Sequence, residues 1–457
     1  MSFLGRSREL GALRYALDQP VPQLLRVSGL PGVGKSALVR RAVESCESIV
    51  LVAPPLPAPM QLAAFRERID TALAADAEWV LLFTRVVQVA RSSARPVALV
   101  IDDAHRLTES RARWTGPLAQ VLRDATAEEI PLHIVLVGRA SELPALEGVP
   151  THDLRVGPLP LRVAAPLLPG NEPHHVVRAY GVFGGIPRVL RQLDTSITVG
   201  TNVRRLVLDL DGSLAAAPLT WLERELQKPS RYMAIMRALA FGESDWGTIH
   251  EGVPDLTRSG QIAPYLKRLE QLGMIEVRTA LDAKPGSRAS RYQLSDPFLA
   301  FWFRFALPWR TQGRGHERPT PLREHYAEHI RPGIVSHMER MMPTLVRRHM
   351  ERESIETVGA SVRECGSLWG PEHDIPVAGT LSNGAIFYGR SAWDRPAREA
   401  SPLDRLDEDV RRTRYGFGRE RRLRLIFSGR PAPTWLRRET ARRTDARLVE
   451  AAELLGR

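Results

Sequence analysis

The apolar positions along this chain change period several times, and those changes divide it. Short runs near residues 24–28, 49–53, 97–101, 133–137 and 153–156 read as β-strands, with stretches of three- and four-residue apolar spacing between them that read as helices. Continuous runs such as Val97 to Ile101 are typical of strands covered on both faces. The alternation predicts an α/β, doubly wound parallel sheet that binds its ligand at the carboxyl ends of the strands. Beyond residue 228 the pattern turns to helices over Tyr232–Ala240, Trp246–Glu251 and Ile262–Leu272, the last placing Ile262, Leu266, Leu269 and Leu272 on one face. A strand beginning at Met274, a basic tip over 281–291 and a return over Tyr292–Leu294 complete a predicted winged helix-turn-helix.

Two of the strands end in residues that carry chemistry. After Leu24, Leu25 and Val27 comes Gly29, Leu30, Pro31, Gly32, Val33, Gly34, Lys35, Ser36, and then a helix opening at Ala37. Strand, glycine loop and helix in that order form a phosphate-binding loop, in which backbone N–H groups and a helix N-terminus face a phosphate. Lys35 is placed to reach the β- and γ-phosphates of a nucleoside triphosphate, and Ser36 to ligate Mg²⁺. The run VALVIDD ends in Asp102, a candidate for the Mg²⁺ shell, and Asp103, in the position of the carboxylate that activates water. Asp at this position is one methylene shorter than the commoner Glu, which predicts action through a shifted water or slow turnover. After the strand His133–Val137, Arg139 and Ser141 are candidate γ-phosphate sensors, although a plain loop would equally supply them.

Composition narrows the setting. The 457 residues, 43% hydrophobic and 25% charged, suit a globular chain of two to four domains. No run approaches the ~20 apolar residues of a membrane span, and the first residues lack a signal-peptide core. With only Cys46 and Cys365 there is no disulfide framework, and a cytoplasmic location is expected. The net charge is +12, and 281–457 holds 32 Lys/Arg against 23 Asp/Glu. That excess suits a polyanion such as duplex DNA, and a solvated arginine surface explains it as well.

Several segments together are similar to one family. The opening Phe3 to Leu10 (FLGRSREL) resembles that of AAA-type ATPases of the STAND class, in particular the archaeal-type ATPase family. The phosphate loop, the Asp102–Asp103 strand and the segment Tyr180 to Leu190 (YGVFGGIPRVL) fit the same family, and Arg291 to Phe305 (RYQLSDPFLAFWFRF) resembles the start of its C-terminal domain. The resemblance implies ATP and Mg²⁺ as cofactors, Arg6 and Pro187 near the nucleotide, and four domains. These are a P-loop AAA-type core over 1–160, a helical lid over 161–228, a winged helix over 229–295, and over 296–457 an α+β domain resembling a restriction-endonuclease-like fold.

In that last domain a nuclease site needs a helix acid, a strand Asp and a Glu-x-Lys pair. The candidates are Glu339 and, in GPEHDIPVA, Glu372 and Asp374; the Glu-x-Lys positions hold Arg390, Ser391 and Ala392 before Trp393. A guanidinium cannot ligate a metal and repels it, so the domain is expected to cut nothing. His174–His175 lacks further ligands at metal spacing. Nucleic-acid contacts would fall to Lys267, Arg268 and Arg258 of the winged helix, to Lys284, Arg288 and Arg291 of the wing, and to the arginines over 411–424. In STAND-class proteins the winged helix often packs on the ATPase as a relay instead. The expected function is an ATP/ADP-controlled switch that acts on a protein partner or a homo-oligomer; a DNA-acting ATPase and a scaffold with a vestigial ATPase are the alternatives.

Overall fold

The computed structural model describes residues 4–457 except 70–77, 111, 147, 227–228, 243, 254, 257, 285–289, 313–319 and 395–397. The chain divides into two compact units. The first comprises residues 1–157 with 271–273, and the second residues 158–270 with 274–457.

The first unit is built on five parallel strands, β1 (Leu24–Ser28), β2 (Glu47–Val52), β3 (Val97–Asp102), β4 (Leu132–Gly138) and β5 (Thr151–Arg155), in the order β2-β3-β4-β1-β5. Every residue of β3 and β4 is buried, as their uninterrupted apolar runs require. Helices α1 (Ser7–Leu17), α2 (Lys35–Ala42), α3 (Ala58–Ile69), α4 (Trp79–Ser92), α5 (His105–Glu109) and α6 (Thr115–Ala127) complete the unit. Phe83, Leu99, Trp114, Leu118 and Leu136 are among the fully enclosed residues of the core. Because β4 lies between β1 and β3, with Ser28 level with Gly138 and Ile101 with Leu136, the ends of these three strands meet on one edge.

The second unit holds helix α7 (Pro173–Phe183), a Gly184–Gly185 turn and a short helix over Pro187–Leu190. Next come α8 (Ser230–Leu239), α9 (Trp246–Glu251) and α10 (Ala263–Gln271), and an antiparallel hairpin of β6 (Ile275–Thr279) and β7 (Ser290–Leu294), with Ser244 bridged to Tyr292. The expected one-sided burial is present at Leu266 and Leu269 of α10 and at Ile262 and Leu272, which flank it. Helix α11 (Pro297–Phe301) is capped by Asp296, whose carboxylate accepts from Phe298 N at 2.9 Å and from Gly185 N at 3.2 Å. That fully buried clasp joins two segments 111 residues apart, and a Cβ on Gly184 would lie 2.3 Å from Asp296 Oδ1.

A mixed sheet closes the unit. Strands β8 (Val362–Trp369), β9 (Asp374–Leu381) and β10 (Ile386–Ala392) form an antiparallel meander, and β11 (Arg422–Ser428) and β12 (Ala446–Glu450) add in parallel. The long helix α12 (Arg331–Val358) packs on β8, β9 and β10, and α13 (Pro402–Arg412) on β9, β10 and β11; α14 (Thr434–Ala441) lies against β12. Trp302 and Trp309 are core residues, their indole N–H groups donating to Ala215 O and Leu208 O. Arg348 of α12 ties the hairpin down by pairing with Glu276 and donating to Ser295 O. Among the described residues no helix is long and apolar enough to cross a membrane.

Candidate nucleotide-binding site

The loop after β1 has a backbone that only glycine permits at its turning points. Gly29, Gly32 and Gly34 have φ of +150°, +79° and +96°. A Cβ on Gly29 would sit 2.1 Å from the Val156 carbonyl oxygen. Leu30 and Val33 are buried and pin the loop, while Pro31, Gly32, Gly34, Lys35 and Ser36 are half-buried and Ala37 is exposed. Lys35 opens α2 and folds back, its Nζ donating to Gly29 O at 2.9 Å and Leu30 O at 3.1 Å. No side chain caps α2, so its first backbone N–H groups are left for an anion. The cradle therefore fits a phosphate. Arg6, in the left-handed region at φ +67°, donates to Val33 O at 3.1 Å and Gly157 O at 2.5 Å and pairs with Glu9. Its guanidinium braces the loop from behind.

On the neighbouring strand Asp102 is buried and its Oδ1 accepts from Asp103 N at 3.0 Å. Asp103 stands at φ +54°, a strained backbone for a residue with a side chain. Its carboxylate pairs with Arg106 at 2.9 Å, and Arg106 also donates to Ala53 O at 2.8 Å. Burial raises the Asp103 pKa; Arg106, Lys35 and Arg139 oppose that rise and Asp102 adds to it. Arg139, at the end of β4, pairs with Glu109 and with Glu142 at 3.0 Å. Ser141 lies in the turn that follows, Ala140–Glu142. One acid and one hydroxyl, Asp102 and Ser36, suit Mg²⁺, which keeps several waters and takes its other ligands from phosphate.

Three residues here escaped the sequence reading. His105 packs on Gly138, where a Cβ would come within 3.1 Å of its Nδ1. Burial, with the fields of Arg139, Arg106 and Lys35, lowers its pKa to about 3, so the ring is neutral at physiological pH. Gln61 is buried and donates to Pro54 O and Arg106 O while accepting from Ser110 Oγ, which ties the Pro54–Pro59 loop to the segment after β3. Arg106 is the third. The only signal for His105 and Arg106 was their place just after a strand carrying two acids, and Gln61, on α3, had none.

In the second unit Pro187 opens its short helix. Glu339 of α12 accepts from Trp393 N at 2.9 Å and Asp394 N at 2.7 Å, and so lies at the end of β10. Asp374 is the first residue of β9, with Glu372 just outside it. Arg390 donates to Asp374 O at 3.0 Å and pairs with Asp409 of α13. Among the described residues no group of three or more His, Cys, Asp or Glu could hold a metal ion. Arg291 of the β6–β7 hairpin pairs with Asp374 at 3.0 Å and stacks over Trp369; Arg258, Lys267 and Lys284 are exposed, Arg268 is half-buried, and Arg288 lies outside the described residues.

Residues 21–146 match the model of the AAA domain. That stretch, with its glycine loop and parallel strands, is similar to an AAA domain of the P-loop type. An uncharacterised protein of Methanocaldococcus jannaschii is 22% identical over 316 residues, 67% of this chain and 69% of that protein. The Walker-type ATPase PABY2304 of Pyrococcus abyssi shares the fold with a TM-score of 0.50 at 18% identity, over 66% of this chain and 96% of its own. The parallel five-stranded sheet of the first unit fits a P-loop AAA fold.

Proposed function

We propose that this protein binds ATP with Mg²⁺ in its AAA domain, hydrolyses it slowly, and uses the difference between ATP and ADP as a switch. In this reading Gly29 to Ala37 wrap the phosphates, Lys35 neutralises the β- and γ-phosphates, and Ser36 with Asp102 holds the metal, which supplies charge for the transferring phosphoryl group. Asp103 orients the attacking water, and Arg6 supports the loop that surrounds the nucleotide. The observation that carries the switch is that Asp103 and Arg139, the water-orienting acid and the γ-phosphate sensor of this reading, already have protein partners. Asp103 is held by Arg106, and Arg139 by Glu109 and Glu142. A γ-phosphate competes with the two acids for Arg139, so ATP and ADP favour different pairings, as any population shift requires. The hairpin-bearing segment, read as a winged helix, and the nuclease-like sheet with its site disarmed by Arg390 are the output, acting on a protein partner or a second copy in the cytoplasm.

A second reading, a DNA-binding ATPase, is favoured by one surface feature. Phe417 is 84% exposed on a turn set by Gly416 and Gly418 and flanked by Arg414, Arg419, Arg421 and Arg422, an aromatic among cations that suits nucleic acid. The test is MgATP turnover by the full chain with and without duplex DNA, with Lys35→Ala as the blank. Slow turnover that DNA does not change, with a protease pattern differing between ATP and ADP, fits the switch. Stimulation by DNA that falls with added salt supports the second reading, and identical protease patterns with ATP, ADP and no nucleotide overturn the first.

A further inference from the structure

The second unit contains a cavity of about 520 Å³ to which four arginines contribute, each from a different stretch of the chain. Arg178 comes from α7, Arg204 from the helical segment Val203–Leu208, Arg331 from the first position of α12, and Arg430 from the segment after β11. Two rings line it as well. Arg204 lies over Tyr326 at 5.2 Å and Arg430 over Trp393 at 5.9 Å. Gly200 allows the phenol to approach, since a Cβ there would fall 2.4 Å from Tyr326 Oη.

The charges in this cavity are poorly compensated. Among the described residues Arg430 alone of the four has an acidic partner, Asp394 at 3.1 Å. Among the described residues the Arg178 and Arg331 side chains make no ion pair or hydrogen bond, and Arg178 Nε and Trp393 Nε1 are buried donors with no acceptor. Burial and the nearby Arg430 pull the Arg178 pKa down. The fields of Arg178, Arg204 and Arg331 all reach Tyr326, and those of Arg178 and Arg430 both reach His174 and His175. Arg178, Arg204 and Arg430 are half-buried and Arg331 is exposed, and like charges gathered around one space with unfilled donors are unfavourable until an anion joins them. A single carboxylate would answer one guanidinium; several guanidiniums around one space match the forked geometry and higher charge of phosphates.

We propose that this cavity is a binding site, separate from the P-loop, for a small polyphosphorylated molecule of about the size of one nucleotide. The volume is that of a pocket for one small ligand, and Tyr326 and Trp393 supply a pair of rings for an apolar face of that ligand to lie against.

The test is titration calorimetry of inorganic tripolyphosphate into the full chain carrying Lys35→Ala, which removes the phosphate-loop lysine from the measurement. One equivalent is expected to bind, more weakly as salt rises. Arg178→Gln, Arg204→Gln and Arg331→Gln, each added to that background, are expected to weaken binding at least tenfold. Arg331 is exposed, so its variant keeps the test sound if a more buried arginine proves necessary for folding, which circular dichroism would report. Absence of stoichiometric binding, or binding that none of the three changes weakens, overturns the proposal. It is equally overturned if a 5′-phosphorylated single-stranded oligonucleotide binds through these arginines more tightly than tripolyphosphate, which would make the cavity a section of a nucleic-acid surface. None of these outcomes depends on whether the AAA domain hydrolyses ATP.

Discussion

Two glycines of the phosphate loop, both with positive φ, are expected to respond differently to the same substitution. At Gly34 an added Cβ meets nothing within 4 Å, so Gly34→Ala meets only the backbone penalty of φ +96°, about 1–2 kcal/mol. At Gly29 the φ of +150° belongs to a region essentially reserved for glycine, and the new Cβ would lie 2.1 Å from Val156 O and 3.1 Å from Val156 C. That neighbour is backbone and cannot rotate away; Val156 N also donates to Ser28 O at 2.7 Å, holding the strand end in place. Overpacking adds about 1–3 kcal/mol to a conformational penalty of similar size, so Gly29→Ala is expected to cost about 2–6 kcal/mol. Against a typical domain stability of about 5–15 kcal/mol, this is a large fraction. Urea unfolding of the full chain should show a midpoint drop for Gly29→Ala well beyond that for Gly34→Ala, and a fluorescent ATP analogue should bind the former at least tenfold more weakly than wild type. Equal midpoints for the two variants would refute the clash argument.

Arg139→Ala is expected to reduce the preference for ATP over ADP about tenfold while leaving ADP affinity within twofold, as measured by competition binding; equal losses for both nucleotides would remove Arg139 as a γ-phosphate sensor. Asp296→Asn tests the buried clasp through pH. Burial raises the Asp296 pKa from 3.8 to about 6 against the opposing bonds from Gly185 and Phe298, so the folded state holds the proton more tightly than the unfolded one. Its contribution to stability therefore falls as pH rises through the window from about 4 to 6, by about 3 kcal/mol in total, and is flat above it. The wild-type minus variant difference in unfolding free energy should show that slope, whereas a flat difference from pH 4 to 7 would mean the carboxyl is not perturbed. Subtracting the variant removes the opposing contributions of His337 and His349, both lowered by burial to about 4.

Legibility in the sequence followed the range of the interactions. The fully buried runs of β3 and β4, the glycine loop and the one-sided face of α10 are local patterns, and the strands and helix they predicted are present where expected. The strand order could not be read the same way, because β4 enters between β1 and β3 through contacts distant in sequence. The clasp between Asp296 and Gly185 and the pairing of Arg390 with Asp409 were equally hidden. Arg178, Arg204, Arg331 and Arg430 each read as one more cation in an arginine-rich chain, and only the fold makes a cavity of them. Asp103 was visible as a candidate from its strand, but nothing in the local pattern singled out Arg106, three residues further on, as its partner.

The carbonyl oxygens that shape the phosphate loop have a practical bearing on where this protein can be cut. Gly29 turns against Val156 O, and Arg6 joins Val33 O to Gly157 O. Residues 6, 156 and 157, together with the whole of β5, fall outside the stretch 21–146 that matches the AAA model. A fragment trimmed to those limits would keep every motif residue from Gly29 to Asp103 and lose the edge strand and brace that give the loop its form. A piece that retains the loop as built has to include Arg6 and run through Gly157, and a fusion joined close to Arg6 would disturb the bonds that brace the loop.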